Sequence, residues 1–344
     1  MTLIELLIVM AIMLMVTAAA IPMIVPATRN RQMRESVRLV NSYIAGARAR
    51  AIETGRPVGV MFERFNGQNF SMNLSYVEVP LPYSGDTVNS RVLVSGGEIT
   101  SFVSGDALWQ NQIRYGDLVK LNYRGESFIL TSTTTPPDTK VGRVVTTAPG
   151  GTDRWYLYST ISGGIPSNLP QSYSNSPGTP FQIFRQPVRS SAAPLQLPEG
   201  IVVDLQLSGI GLGPSGIFGN INTGTTPPTY NPVTWNPIVM FSPNGAVSSV
   251  HMSQGMLRPN SPIYFLMGRR ELMHDVSKSG YDENLYDPNT TNPENQYLQN
   301  FWISIANTTG TVTTAECAAN TGPANDPTNA RGLARDARIS GGGP

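Results

Sequence analysis

The first 54 residues carry two different hydrophobic patterns in succession. Residues 6–28 are without charge, and apolar side chains occupy nearly every position from Leu3 to Val16. An apolar run of that length suits a helix that is buried all round, in lipid or among other helices. Beyond Pro26 the pattern becomes one-sided. Met33, Val37, Val40, Ile44, Ala47 and Ala51 recur at spacings of 4, 3, 4, 3 and 4, while Arg34, Arg38 and Arg48 fall off that stripe. This predicts an amphipathic helix that ends at Thr54-Gly55, with Pro57 just beyond. A continuous helix over residues 1–54 would be about 80 Å long at ~1.5 Å per residue. Pro22 and Pro26 each remove a backbone donor, so a kink or a local loss of the hydrogen-bond ladder is expected over residues 18–26.

From Val58 the period shortens to that of strands. VGVMFERF, NFSMNLSYVEV, RVLV, LVKLNY, SFILTS, RWYLYST, FQIFR, IVVDLQL, IVMFS, PIYFLM and NFWISI are short apolar or alternating runs divided by turn residues. No second long amphipathic helix is expected; a short one is conceivable over 269–276. The prediction is an α+β chain: a long N-terminal helix followed by one antiparallel β-rich globular head with extended loops. Four stretches follow: an apolar helix half at 1–28, an amphipathic half at 29–56, the head at 57–316 and a polar tail at 317–344. The loops 133–180 and 208–236 are long and rich in Gly, Pro, Ser, Thr and Asn, and loops of that length are commonly functional or disordered. The tail reads as disordered by composition.

Composition narrows the chemistry. Lys+Arg (24) and Asp+Glu (23) nearly cancel, which argues against a general nucleic-acid binder. Gly (33) and Pro (28) together exceed their usual share of about 12%, as expected for many short strands and turns. The single cysteine, Cys317, excludes an internal disulfide and a multi-cysteine zinc site. His251 and His274 belong to no ligand or triad motif, and no G-x-S-x-G elbow is present. GLGPSG (211–216) matches a dinucleotide fingerprint, but the following IFGNINTGTTPP cannot open the helix that the fingerprint requires. No enzymatic activity is expected, and no cofactor. Asp282, Glu283 and Asp287 cluster with other oxygen-bearing residues and are the candidate calcium ligands. Their spacing matches no EF-hand, and a solvated acidic turn is the favoured reading. Asn73, Asn289 and Asn307 begin N-x-[ST] triplets. The arginines at 29, 31, 34, 38, 48, 50 and 56 suit inter-subunit pairing or solvent better than nucleic acid.

TLIELLIVMAIM, with Glu5 and Pro22, resembles the N-terminal methylation segment of type IV pilins and type II secretion pseudopilins. The stretch RESVRLVNSYIAGARARAIETGRPVGVMF is similar to the H-type pseudopilins, and IVMFSPNGAVSS and FWISIANTTGTVTTAE resemble late strands of their heads. The resemblance implies a leader removed by a prepilin peptidase, with Met1 as the processed and methylated residue. It implies subunits held in the inner membrane, then drawn by an assembly platform and its ATPase into a periplasmic or extracellular helical homopolymer. Residues 1–28 would be the transmembrane and filament-core half. Glu5 and Pro22 would set assembly register and flexibility, since a carboxylate in an apolar setting is costly unless a neighbour neutralises it. The alternative within the resemblance is a minor pseudopilin or minor pilin at a filament tip, binding secreted substrate or DNA.

Overall fold

The helix α1 covers Leu3–Thr54 and ends where the stripe predicted, at Gly55, whose φ of 63° is the left-handed stop that suits a residue without a side chain. The computed structural model describes residues 3–103, 109, 112–133, 145, 149, 154–159, 161–166, 169–170, 173–213, 216–222, 229–231, 235–252, 255–273, 300–317 and 327–341; at 18–29, 220–222, 229–231, 255 and 340–341 it describes the backbone alone. The helix runs through Pro22 and Pro26 without interruption, so the expected loss of the ladder over 18–26 does not occur.

Among the described residues nineteen strands follow. They are β1 (Val58–Arg64), β2 (Phe70–Glu78), β3 (Val92–Ser95), β4 (Glu98–Phe102), β5 (Leu118–Leu121), β6 (Ser127–Thr131), β7 (Tyr156–Tyr158), β8 (Phe181–Phe184), β9 (Val188–Arg189), β10 (Leu195–Gln196), β11 (Ile201–Ile210), β12 (Asn220–Asn222), β13 (Thr229–Asn231), β14 (Ile238–Phe241), β15 (Val247–Met252), β16 (Gly255–Leu257), β17 (Ile263–Arg269), β18 (Phe301–Ile305) and β19 (Val312–Glu316). A second helix, α2, covers Gly332–Gly341.

The larger sheet has the order β16-β15-β14-β1-β2-β11-β17-β18-β19, with β9 and β10 also paired to β2. Its alternating side chains face two different covers. Ile263, Phe265 and Met267 of β17, and Ile303 and Ile305 of β18, join the core under α1, with Met33, Val37, Val40, Ile44, Ala47 and Ala51. Tyr264, Leu266 and Trp302 point the other way, into a smaller cluster with Cys317, Ala330 and Ala334. The period of two therefore buries both faces, one beneath each helix.

The second sheet, β3-β4-β7-β6-β5-β8, has its own core around Trp155, Phe181 and Leu130. It is an insertion. The chain leaves the larger sheet at the end of β2 and re-enters at β9, which pairs back through Glu78↔Val188 and Val77↔Arg189.

This corrects the expected fold class, an α+β chain with a long pilin helix on one β-rich head. The described residues are mostly β-sheet, and they form two large antiparallel sheets, each with its own core. The physical reason is that strand periodicity marks which residues alternate but not which strands pair. Among the described residues no helix is long and apolar enough to cross a membrane. The side chains of α1 are described for residues 3–17 and 30–54, so the expected segment at 1–28 lies partly outside the described residues. The helix conceived over 269–276 is a single 3-10 turn at Arg270–Leu272, as far as Met273. The tail read as disordered instead contains α2, docked on the larger sheet.

Candidate functional site

Twelve of the side chains between Leu3 and Val16 are exposed large hydrophobics, from Leu3 at 80% to Met15 at 79%. They fall at almost every angle around α1, so no face of this segment rests on the head. Among the described side chains of the helix the first buried one is Met33, about 25 Å further along the axis than Val16. A helix apolar all round is stable in water only when something else covers it. Glu5 lies exposed inside this segment. Of the other expected site residues, Met1 lies outside the described residues, and Pro22 is placed on the helical backbone only. Asp282, Glu283 and Asp287 lie outside the described residues, as do His274 and Asn289.

The second half of α1 is fixed to the head by more than its apolar stripe. Tyr43 and Tyr76 stack with centroids 4.0 Å apart and planes at 11°. The Tyr76 backbone N–H donates to the Tyr43 hydroxyl at 3.1 Å, and the Tyr76 hydroxyl donates to the Tyr43 carbonyl at 3.1 Å. The Arg50 guanidinium lies 4.2 Å from the centroid of the Tyr76 ring. Burial raises the pKa of both phenols, so both remain donors at neutral pH. Arg48 donates to the Gly245 carbonyl at 3.2 Å, and Arg56 to the Val79 carbonyl at 3.1 Å. Arg31 pairs with Glu35 at 2.9 Å, and Arg34 approaches Glu316 at 3.9 Å. The basic stretch therefore does much of its pairing within its own chain, where inter-subunit pairing or solvent was expected. These contacts fix the second half of α1 to the head.

Two polar centres lie inside the head. The first surrounds Arg64, at the end of β1. It donates to Trp235 O at 2.8 Å, Phe218 O at 2.8 Å and Asn69 Oδ1 at 2.7 Å, and lies over the Trp235 ring. Burial lowers its pKa to about 10, opposed by the charge of Asp204, so it stays cationic at neutral pH. Asp204 is buried in β11 and accepts the N–H groups of Gln206 at 2.8 Å and Leu207 at 3.1 Å. Those bonds hold a bulge, since Asp204 pairs with Leu266 while Gly209 pairs with Tyr264. The centre is closed and structural.

The second centre is Asp117 in the inserted sheet. Its carboxylate accepts the backbone N–H of Arg114 at 2.7 Å and of Gln186 at 2.9 Å, tying the start of β5 to the returning chain. Desolvation raises its pKa to about 6, against the lowering effect of those bonds.

Neither centre resembles catalytic machinery. His251 sits on β15 with Nε2 3.3 Å from Ser249 Oγ, and desolvation lowers its pKa to about 4, so it is neutral. No carboxylate orients it among the described residues. In the GLGPSG stretch Pro214 and Ser215 lie outside the described residues, and Gly211 and Leu212 give their carbonyls to Arg331. Among the described residues no group of three His, Cys, Asp or Glu comes together to hold a metal. A cleft of about 70 Å³ lined by Thr54, Arg56, Pro57, Val58 and Glu78 has room for a few waters. Asn73 lies within β2, and Asn307, at the turn before β19, uses its amide on Pro259 O at 3.4 Å.

Sequence reasoning missed Arg331, which is fully buried. The available signal was Ala330, Ala334 and Ala337, spaced at 4 and 3 in an otherwise polar, glycine-flanked stretch. No family model matches the chain, and no curated protein or solved structure matches it.

Proposed function

We propose that this chain is a structural, non-enzymatic subunit that polymerises through the apolar half of α1 into a type IV pilus-like or pseudopilus filament. The observation that carries this reading is the exposure of large hydrophobics around the whole circumference of residues 3–17. Burying that surface against identical helices is favourable by roughly 25 cal/mol per Å². The Tyr43–Tyr76 stack and the arginine contacts hold the head at a set attitude to the segment, as a repeating subunit needs. Glu5 serves as the register device. A carboxylate packed among apolar helices favours the one stagger that gives it a countercharge or hydrogen-bond donors. The proposed partners are other copies of the chain, a prepilin peptidase, and an assembly platform with its ATPase. The proposed location is a filament in the periplasm or outside the cell, supplied by subunits held at the inner membrane through the same segment.

The test is electron microscopy of material sheared from expressing cells, with the filament protein identified by mass spectrometry. Wild-type chain is expected as the main filament band. Glu5→Ala is expected to leave the subunit expressed but abolish filaments. Normal filaments from that variant, or wild-type chain found only as dispersed subunits, overturn the proposal.

A further inference from the structure

Arg331 enters the face of the larger sheet opposite α1. Its guanidinium donates to the carbonyls of Gly211, of Leu212 at 3.3 Å and of Leu207 at 2.5 Å. It lies 5.0 Å from the centroid of the Trp302 ring and 5.3 Å from that of Tyr264. The two rings meet edge to face at 88°. Carbonyl acceptors and ring faces together are what a planar, weakly hydrated cation with a fork of donors requires, and a lysine ammonium fits them less well.

The segment that brings Arg331 there buries no other large side chain among its described residues. Apart from Arg331, its buried side chains are Pro327, Ala330 and Ala334, all small, whereas Leu333 and Ile339 face solvent. Small side chains contribute little apolar burial. Arg331 is therefore the largest side chain that docking of residues 327–341 buries, among those described. The receiving residues sit on β11, β17 and β18 and the turn after β11, framed by sheet pairing that owes nothing to the segment.

We propose that Tyr264, Trp302 and the carbonyls of Leu207, Gly211 and Leu212 form a guanidinium socket that binds segment 327–341, filled here by the chain's own Arg331 and able to take the same segment from a second copy. Every copy carries both socket and segment, so exchange between copies replaces each contact with an identical one, which is the condition for swapping at low cost. The inference stands independently of the filament reading, because it needs only two copies in solution.

Cys317 is the chain's one cysteine and lies buried in the cluster beneath the segment, so its thiol reports undocking. The experiment uses full-length wild-type, Arg331→Ala and Arg331→Lys chains, thiol labelling, and a fluorescent peptide of residues 327–341. Arg331→Ala is expected to label at Cys317 about tenfold faster or more than wild type. The peptide is expected to bind that variant about tenfold tighter than it binds wild type, and to restore protection. The same peptide carrying Arg331→Ala is expected to do neither. Equal binding of the two peptides, or fast labelling without peptide binding, overturns the proposal. If Arg331→Ala does not fold, Arg331→Lys decides. Labelling faster than wild type supports a guanidinium-specific socket, and labelling at the wild-type rate overturns it.

Discussion

Tyr43 on the helix and Tyr76 on β2 stack ring on ring and are linked by two hydrogen bonds, one from each end of Tyr76. Gly46 sits one helical turn on from Tyr43, where a Cβ would lie 2.6 Å from the Tyr76 hydroxyl. The close approach needs a residue with no side chain in the middle of a helix, despite its low helix propensity. Gly46→Val is expected to push Tyr76 out and to destabilise the chain by about 1–3 kcal/mol. Tyr76→Phe removes only the bond to the Tyr43 carbonyl and should cost about 1 kcal/mol. Urea denaturation of the three proteins measures both. A Gly46→Val variant as stable as wild type would show that the clasp does not fix the helix.

Between about pH 4 and 6.5 two buried groups oppose each other. Asp117 has its pKa raised to about 6, so the folded chain holds a proton that the unfolded chain has lost, and stability falls as pH rises from about 4 to 6. His251 has its pKa lowered to about 4, so its contribution is present above about 6.5 and is lost as pH falls towards 4. The wild type is expected to show a shallow profile over that range. Asp117→Asn should expose the rise with pH due to His251, and His251→Gln the fall due to Asp117, each on the order of 2–3 kcal/mol. Denaturation midpoints at pH 4, 5, 6 and 7 check the signs. Two variants with parallel profiles would rule the assignment out.

The Gln206 amide is buried in β11 with neither its oxygen nor its nitrogen hydrogen-bonded. Gln206→Met keeps the length and removes the polar atoms, and is expected to raise stability by about 1–2 kcal/mol. A calorimetric Tm below that of wild type would contradict this.

Arg64 gives the opposite expectation. Its removal strands the Trp235 and Phe218 carbonyls and leaves Asp204 without its neighbouring positive charge. Arg64→Met should destabilise the chain by about 3–5 kcal/mol, whereas Arg64→Lys, which keeps the charge but not the fork, should lose less. Chemical denaturation of the pair ranks them, and equal losses would remove the argument from fork geometry.

The apolar segment should also control solubility. Replacing Leu7, Met10 and Leu14 together by Gln removes exposed apolar surface and makes few changes that the head can sense. The variant is expected to stay dispersed in sedimentation experiments where wild type assembles, with an unchanged denaturation midpoint for the head. Continued assembly would place the contact elsewhere.

Much of the local structure is written in the chain's own periodicity. The stripe Met33, Val37, Val40, Ile44, Ala47 and Ala51 names the buried face of the helix, and Thr54-Gly55 names its end. The apolar segment carrying Glu5 is equally plain, because a helix hydrophobic on every side can be recognised without knowing what covers it. The strand runs PIYFLM and NFWISI are likewise legible, since alternation is a local property. Tertiary structure alone decided what those faces meet. The pairing of Glu78 with Val188 divides one expected head into two sheets, and no local pattern reports a contact between residues so far apart. Asp204 and Gln206 alternate with apolar residues in IVVDLQL, yet both are fully buried, at a bulge that alternation does not report. Residues 327–341 look like polar filler because their apolar content is slight. Their Arg331 finds two rings and three carbonyls supplied by distant parts of the fold. Periodicity states which side of an element avoids water, and only the assembled chain determines which partner takes its place.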